Sequence, residues 1–319
     1  MSRMLLLVGT LAAAVALFAH PAAAASPAPT LLTLRAAVAF DGVYTTSTGE
    51  TVRISVSDDL VPDEEENQAW AEFFASLPHG PELERVRIYF APGEEVRTIC
   101  GRRALACYSP QTELIVAPAE EPEGQPSRRS ILAHEYGHHL GNSRLNLPWS
   151  GLAFGTKRWA TYMDVCAGVD AGTFSMRQYE LDPAEGFAEA YRVLAERRLG
   201  LEPSPWEIVD TLFEPDETAL ALLEQDVADP WLRNTVLRLK GAKTRSFRFA
   251  TPLDGRLTIT LRAPRTSVYE LRVPGAPVRR ARGQGPATVS TAVCGTRLGT
   301  ARVRLVKGKG AFQLTVSRP

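Results

Sequence analysis

The sequence predicts an α+β protein whose C-terminal part is all-β, and three observations predict it. Strand and helix patterns are mixed over the first two thirds of the chain. A long helical pattern begins at Pro183 and stops at Gly200. After Lys240 the sequence consists of short alternating runs broken by Gly and Pro, which is typical of a small β-sandwich. We therefore divide the chain into residues 1–25, 26–240 and 241–319.

Residues 1–25 have the pattern of a secretory signal peptide. Arg3 precedes a nearly unbroken apolar run, and the small residues at 23–25 fit a cleavage site after Ala25. A retained membrane anchor is the alternative, although the run is short for a bilayer span. We expect a protein that is secreted, either extracellular or associated with the cell wall, with no membrane span after signal cleavage.

Hydrophobic periodicity and capping residues define the elements of residues 26–240. A helical apolar face runs through "EENQAWAEFFASL", and residues 145–176 predict short helices and loops. Two further helical stretches are predicted between Pro205 and Lys240. The predicted strands are Thr51–Leu60, Arg85–Pro92 and Thr112–Pro118, and the predicted long helices begin near Ser127 and at Pro183.

The charge of the chain is divided unequally. Residues 241–319 contain 16 Lys and Arg against two acids, whereas residues 26–240 contain 19 bases against 34 acids. The two regions therefore either have different partners or attract each other. Arginines of the basic region alternate with apolar rather than aromatic residues, so we expect no nucleic acid. We expect an anionic cell-surface polymer as its partner, with docking on the acidic region as the alternative.

Four cysteines form an even set in a chain that we expect to be secreted, which favours two disulfides. The segment "CGRRALAC" would close a short loop between Cys100 and Cys107. Cys166 would then pair with Cys294 and join the middle of the chain to its tail. The sequence leaves the other pairings open.

The segment "ILAHEYGHHL" is the main functional signal. On a helix, residues i and i+4 lie one above the other, so His134 and His138 can bind one metal ion. Glu135 lies beside them, where it can hold a water molecule rather than the metal. Ser127 can cap the helix, and Gly137 would permit a neighbouring element to approach closely. This is the H-E-x-x-H arrangement of zinc peptidases, and an ordinary helix with solvated histidines is the alternative.

A catalytic zinc needs a third protein ligand, which must be an acid here. His139 is turned about 100° from His138, so we expect it at the surface or beside the ligands. In "LDPAEGFAEAYRVL", Glu185 and Glu189 share one helical face, so Glu185 can bind the metal while Glu189 accepts the outer N–H of a ligating imidazole. A capping box at Glu185 and a surface pair of Glu189 with Arg192 are the alternatives.

"HEYGH" followed by "EGFAEAY" resembles the gluzincin zinc metallopeptidases, in particular the anthrax lethal factor-like peptidases. The similarity covers these two helices, about thirty residues. It implies a zincin-like catalytic domain in residues 26–240, Zn²⁺ on His134, His138 and Glu185, and an edge strand that binds extended peptide. The segment "TELIVAP" is the candidate for that strand. Related sites place a tyrosine just upstream of the glutamate ligand, so Tyr179 is the candidate phenol for oxyanion stabilisation.

From these residues we expect a secreted zinc-dependent endopeptidase that acts on protein or peptide as a monomer. Glu135 would be the general base that takes a proton from the attacking water and returns it to the leaving amine. The alternative is a non-catalytic secreted zinc protein that binds a cell-surface or anionic polymer through its C-terminal region.

Overall fold

The computed structural model of the chain describes residues 38–124, 126–283 and 285–319. The predicted signal peptide lies outside the described residues. The structure confirms the coarse prediction: helices and a mixed sheet form the first region, and an all-β region follows. Among the described helices, none has both the length and the apolar character that crossing a membrane requires.

The first region contains a five-stranded sheet. Its strands are β1 (Val38–Thr45), β2 (Thr51–Ser57), β3 (Arg87–Ala91), β4 (Cys107–Ser109) and β5 (Leu114–Pro118). Their order is β1-β2-β3-β5-β4, with β2, β3 and β5 parallel and the two outer strands antiparallel to their neighbours. The expectation that "TELIVAP" forms an edge strand is wrong, because β5 lies between β3 and β4. The edge strand next to β5 is the three-residue β4, and β1 forms the other edge.

Helices cover this sheet and extend beyond it. They are α1 (Glu64–Ser76), α2 (Gly93–Cys100), α3 (Arg128–Asn142), α4 (Gly151–Phe154), α5 (Lys157–Tyr162), α6 (Val165–Ala171), α7 (Pro183–Leu199) and α8 (Glu217–Ala228), with a short hairpin of β6 (Leu145–Asn146) and β7 (Trp149–Ser150) between α3 and α4. Aromatic and aliphatic side chains of α1, α3, α7 and the sheet form one buried apolar cluster. That cluster fixes α3 and α7 against the rest of the region.

Helices α3 and α7 begin and end as their sequences predict. The Ser127 side chain accepts a hydrogen bond from the backbone N–H of Ser130, and Asp182 caps α7 in the same way ahead of Pro183. Gly200 ends α7 with a left-handed backbone conformation. The two helices cross at Gly137, where a Cβ atom would lie 2.8 Å from the Ala188 Cα. Glycine at this point therefore permits the close contact between the helices.

The all-β region consists of two four-stranded antiparallel sheets around a second apolar cluster. Its strands are β8 (Thr235–Ala242), β9 (Arg245–Thr251), β10 (Gly255–Arg262), β11 (Val268–Arg272), β12 (Arg279–Arg282), β13 (Ala287–Val293), β14 (Arg297–Lys307) and β15 (Ala311–Arg318). The sheet orders are β13-β10-β15-β8 and β12-β11-β14-β9. The first strand begins at Thr235, so the region takes in residues that precede the boundary predicted after Lys240.

Polar contacts and a disulfide join the two regions. Cys166 of α6 is bonded to Cys294, which follows β13, and Cys100 is bonded to Cys107, as the short loop predicts. The buried Lys157 ammonium donates to the carbonyl oxygens of Leu147 and Asp254 at 2.9 and 3.0 Å. These contacts involve the turns at the ends of the β-strands rather than the faces of the sheets.

Candidate metal centre

Two imidazoles of α3 and one carboxylate of α7 converge where the helices face each other. The Oε2 atom of Glu185 lies 3.3 Å from His134 Nε2 and 3.4 Å from His138 Nε2. One donor atom from each residue lies within 4.8 Å of the other two. Because two imidazole nitrogens and a carboxylate oxygen can all bind a divalent cation, this buried group could hold a metal. These are the three residues that the sequence predicts as metal ligands.

A hydrogen bond at Nδ1, the ring nitrogen that does not face Glu185, fixes the orientation of the His134 imidazole. Its Nδ1 donates to Glu189 Oε2 at 3.0 Å, which leaves Nε2 to face Glu185. Glu189 is itself held by Arg192, whose Nη2 donates to Oε1 at 2.5 Å, and Arg192 also pairs with Glu196. Glu189 and Arg192 are both 2% exposed, so they do not form the surface pair that was the alternative. A buried chain of charge-assisted hydrogen bonds therefore sets the ring of one donor.

The mutual contacts of the group shift its pKa values. Burial opposes protonation of His134, but hydrogen bonds with Glu185 and Glu189 outweigh it and raise the pKa of the imidazole to about 10. Burial likewise opposes a charge on Glu185, yet its hydrogen bonds with His134 and His138 hold the pKa of the carboxyl well below its usual range. The site therefore favours an ionised carboxylate beside a protonated imidazole. A divalent cation bound there would take the place of the imidazole proton as the positive charge beside Glu185.

Glu135 is buried and lines the same cleft as the donors. Burial raises the pKa of its carboxyl, the nearby His134 and His138 lower it, and the charge of Glu185 raises it further. The residue follows His134 on α3, so its side chain lies beside the donor group and does not join it. This carboxyl can exchange a proton with a molecule bound in the cleft.

Tyr179 lies in a single 3₁₀ turn, residues 179–181, immediately before α7. Its side chain lines the cleft together with Glu185 while the residue as a whole stays 56% exposed. Burial of the phenol and the negative charge of Glu185 raise the pKa of Tyr179 far above its ordinary value. The phenol is therefore protonated at neutral pH and can donate a hydrogen bond into the cleft.

The cleft above the donors has a volume of about 840 Å³. One wall is the loop that the Cys100–Cys107 disulfide closes, together with Tyr108 of β4. The start of α7 and residues 204–208 also line the cleft. The lining is more apolar than polar, and among the described strands none pairs with the outer edge of β4. The cleft is therefore of a size and character that can accept a ligand beside the donor group.

The other conspicuous residues of the sequence lie outside the donor group. His139 is fully buried rather than at the surface, where one expectation placed it; its Nε2 donates to the Glu82 carbonyl oxygen at 2.9 Å, and its Nδ1 accepts from the Tyr108 hydroxyl at 3.1 Å. Burial lowers the pKa of its imidazole, while its hydrogen bond to the Glu82 backbone acts in the opposite direction. Arg144, which follows the end of α3, forms a buried ion pair with Glu82 at 2.7 Å. His79 contacts backbone carbonyls of a turn.

The sequence did not reveal the residues that shape the cleft. Leu105, Pro205 and Ile208 line its walls, but they belong to loops without a periodic pattern. The available signal was the spacing of Cys100 and Cys107, which places a closed loop directly before the edge strand. A disulfide that precedes so short a strand indicates a rigid loop at the edge of a sheet.

Comparisons with known proteins give the chain no family: no family model matches it, and no curated protein matches it.

Proposed function

We propose that this protein is a secreted zinc-dependent endopeptidase. The observation that supports this function best is the convergence of His134, His138 and Glu185 within 4.8 Å at the floor of an apolar cleft, with Glu135 beside them. The resemblance of "HEYGH" and "EGFAEAY" to gluzincin peptidases points to the same reaction, and we extend it to a zincin-like arrangement of residues 26–240.

The donor set fits zinc by its chemistry. Two imidazoles and one carboxylate leave a fourth position of a tetrahedral ion for water or substrate, as catalytic zinc sites require. His134 is oriented by Glu189 through the nitrogen that does not face the group, a common arrangement behind metal-ligating histidines. Zinc held there would supply a Lewis acid that lowers the pKa of water towards neutral and polarises a peptide carbonyl.

Glu135 is the residue that would carry the proton. Its carboxylate oxygen accepts the proton from water as the water attacks the scissile carbonyl, and it then delivers that proton to the departing amine nitrogen. Its burial raises the pKa of the carboxyl, which brings the residue closer to the pH at which it has to accept and release a proton. The protonated phenol of Tyr179 donates a hydrogen bond to the oxygen of the attacked carbonyl.

The unpaired edge of β4 is where an extended peptide would bind. Tyr108 and the preceding loop line the cleft, and among the described strands β4 is the last of its sheet on that side, with no strand paired to its outer edge. A peptide that adds to this edge as a strand runs past the donor group with alternate side chains pointing to the apolar walls. The proposal therefore assigns the edge role to β4 in place of "TELIVAP".

The test is the Glu135→Gln substitution, with zinc content and cleavage of a quenched unfolded protein measured on the same samples. We expect about one zinc in both proteins and a loss of cleavage of about 10³-fold or more in the variant, because the proton acceptor is removed while the donors stay. Glu180→Gln, an exposed change on the same turn as Tyr179, is the matched control and should leave turnover unchanged.

Three outcomes contradict the proposal. Normal turnover by Glu135→Gln would exclude this residue as the base. Purified protein without zinc, and without zinc uptake, would exclude the metal centre. Stoichiometric zinc with no cleavage of any peptide in a broad library would favour the non-catalytic alternative, in which the metal has a structural role.

A further inference from the structure

The outer face of the sheet β12-β11-β14-β9 carries a dense array of arginines. Pairing registers place six of them on the side opposite the apolar cluster, and all six are exposed: Arg248, Arg272, Arg280, Arg282, Arg302 and Arg304. Glu270 is the one acid among the described residues of this face. The other acid of residues 241–319, Asp254, is buried against the first region through Thr161 and Lys157. The face therefore has a large excess of positive charge.

Glu270 organises the centre of this array. Its carboxylate is buried and accepts hydrogen bonds from Arg280 and Arg304, each through Nε and Nη2 at 2.7–3.0 Å, and from Arg272 at 3.2 Å. A guanidinium has five N–H groups in a rigid fork, so each arginine keeps donors that Glu270 does not use. The carboxylate thus holds three guanidinium groups in fixed positions and leaves them available to a further anion.

Within the described part of the chain, the arginine array does not take part in the contacts between the two regions. The contacts that join the two regions come from the strand ends at Asp254, Gly255 and Cys294, whereas the arginine side chains bonded to Glu270 are about half exposed. Among the described residues, the contacts between the two regions do not involve this face, so docking on the acidic region stays an untested alternative. The excess charge of the face must be balanced by ions or by a partner from outside the chain.

We propose that this arginine face binds a linear polymer of phosphate groups. Guanidinium forks match phosphate oxygens with two parallel hydrogen bonds, and arginine is the main cation of the face, with Lys307 level with Arg282 at its end. On a sheet, arginines on one face repeat about 5 Å across strands and about 7 Å along them, so a flexible chain of phosphates can contact several at once. The described side chains of this face include no aromatic group on which a nucleic-acid base could stack.

A second copy of the chain is the competing partner, because residues 26–240 are acidic. Several acids of that region are already paired, including Glu66 with Arg128, Asp226 with Arg158 and Glu189 with Arg192. A repeating anion matches the regular spacing of the face better than these scattered carboxylates do. The site is far in sequence from the metal centre, so the proposal does not depend on the peptidase function.

The experiment measures binding of the full protein to long-chain inorganic polyphosphate at several salt concentrations. The test variant is Arg248→Gln, Arg282→Gln and Arg302→Gln together, which leaves the three arginines on Glu270 in place. We expect its affinity to fall at least about tenfold, and the slope of log K against log salt to decrease by about 2, because roughly three phosphate contacts are lost. The unmodified protein should bind single inorganic phosphate far more weakly than the polymer.

The matched control removes the same charge from the other sheet. Arg238, Arg256 and Arg262 lie exposed on the outer side of β13-β10-β15-β8, and their joint change to Gln should alter the affinity less than about twofold. Equal losses in both triple variants would reduce the effect to net charge and overturn the proposal. Self-association that only the first triple variant abolishes would assign the face to a second copy instead. Tighter binding to phosphatidylglycerol vesicles than to polyphosphate would assign it to a membrane surface.

Discussion

Glu185 and Glu270 both have a carboxyl pKa below its ordinary value, but the groups that lower it differ in what else they can bind. Glu185 faces two imidazoles across a gap between helices, and its Oε2 oxygen is shared between them. Glu270 lies on a sheet under three guanidinium groups, which lower the pKa of its carboxyl to about 2. The partners of Glu185 can all turn a lone pair towards one point, whereas those of Glu270 have only N–H donors. A shifted pKa therefore does not by itself point to a metal site, whereas a group that could hold a metal needs converging lone pairs.

The largest expected difference between the two carboxylates is in zinc affinity. Glu185→Gln should weaken zinc binding more than about 100-fold, because a charged oxygen donor is lost, while Glu270→Gln should leave it unchanged. Competition with a calibrated chelator measures both affinities. Similar effects of the two substitutions would break the comparison and remove Glu185 from the proposed ligands.

A smaller effect on zinc affinity is expected from Glu189, which contacts His134 rather than the proposed metal. Glu189→Gln keeps a hydrogen-bond acceptor for His134 Nδ1 but removes its charge, so zinc affinity should fall about 10- to 100-fold, less than for Glu185→Gln. The same chelator competition provides the measurement, and Glu217→Gln, an exposed change far from the cleft, is the control. A loss equal to that of Glu185→Gln would mean that Glu189 itself binds the metal.

The smallest expected effect is on the acid stability that Glu270 provides. Its folded pKa of about 2 lies below the ordinary value of 4.5, so its contribution is complete above about pH 4.5 and is lost as the pH falls towards 2. The difference in urea midpoint between the protein and Glu270→Gln should therefore shrink from about pH 5 to about pH 3. The contribution of Glu185 is common to both proteins, so the difference isolates Glu270. A difference that grows towards low pH would contradict the assigned direction.

The donor group could be read from the sequence because its members lie on regular helices. The spacing of His134 and His138, the cap at Ser127 and the start of α7 at Pro183 fix which side chains share a face. The prediction needed one long-range assumption, that α3 packs against α7. The four-residue spacing of Glu185 and Glu189, which puts both on one face of α7, favoured that assumption.

The rest depends on packing that no local pattern encodes. The strand β4 has three residues, too few for an alternating pattern, and the order β3-β5-β4 depends on pairing between strands that no local pattern specifies. His139 is buried because α3 is covered on nearly all sides, by Tyr108 and the Glu82 turn as well as by α7. A helix with polar residues on several faces gives no sign of that cover.

The contact between Gly137 and Ala188 gives the donor group its dimensions. Any β-carbon at position 137 would lie 2.8 Å from the main chain of α7. The distance between the imidazoles of α3 and the carboxylate of α7 therefore depends on a residue that bears no functional group. A methyl group at that position would push the two helices apart. The distance that a cation has to bridge would then increase, although all three proposed ligands would still be present. Substitutions at position 137, on the face of α3 that contacts α7, would thus change the spacing of the donor group without changing a donor.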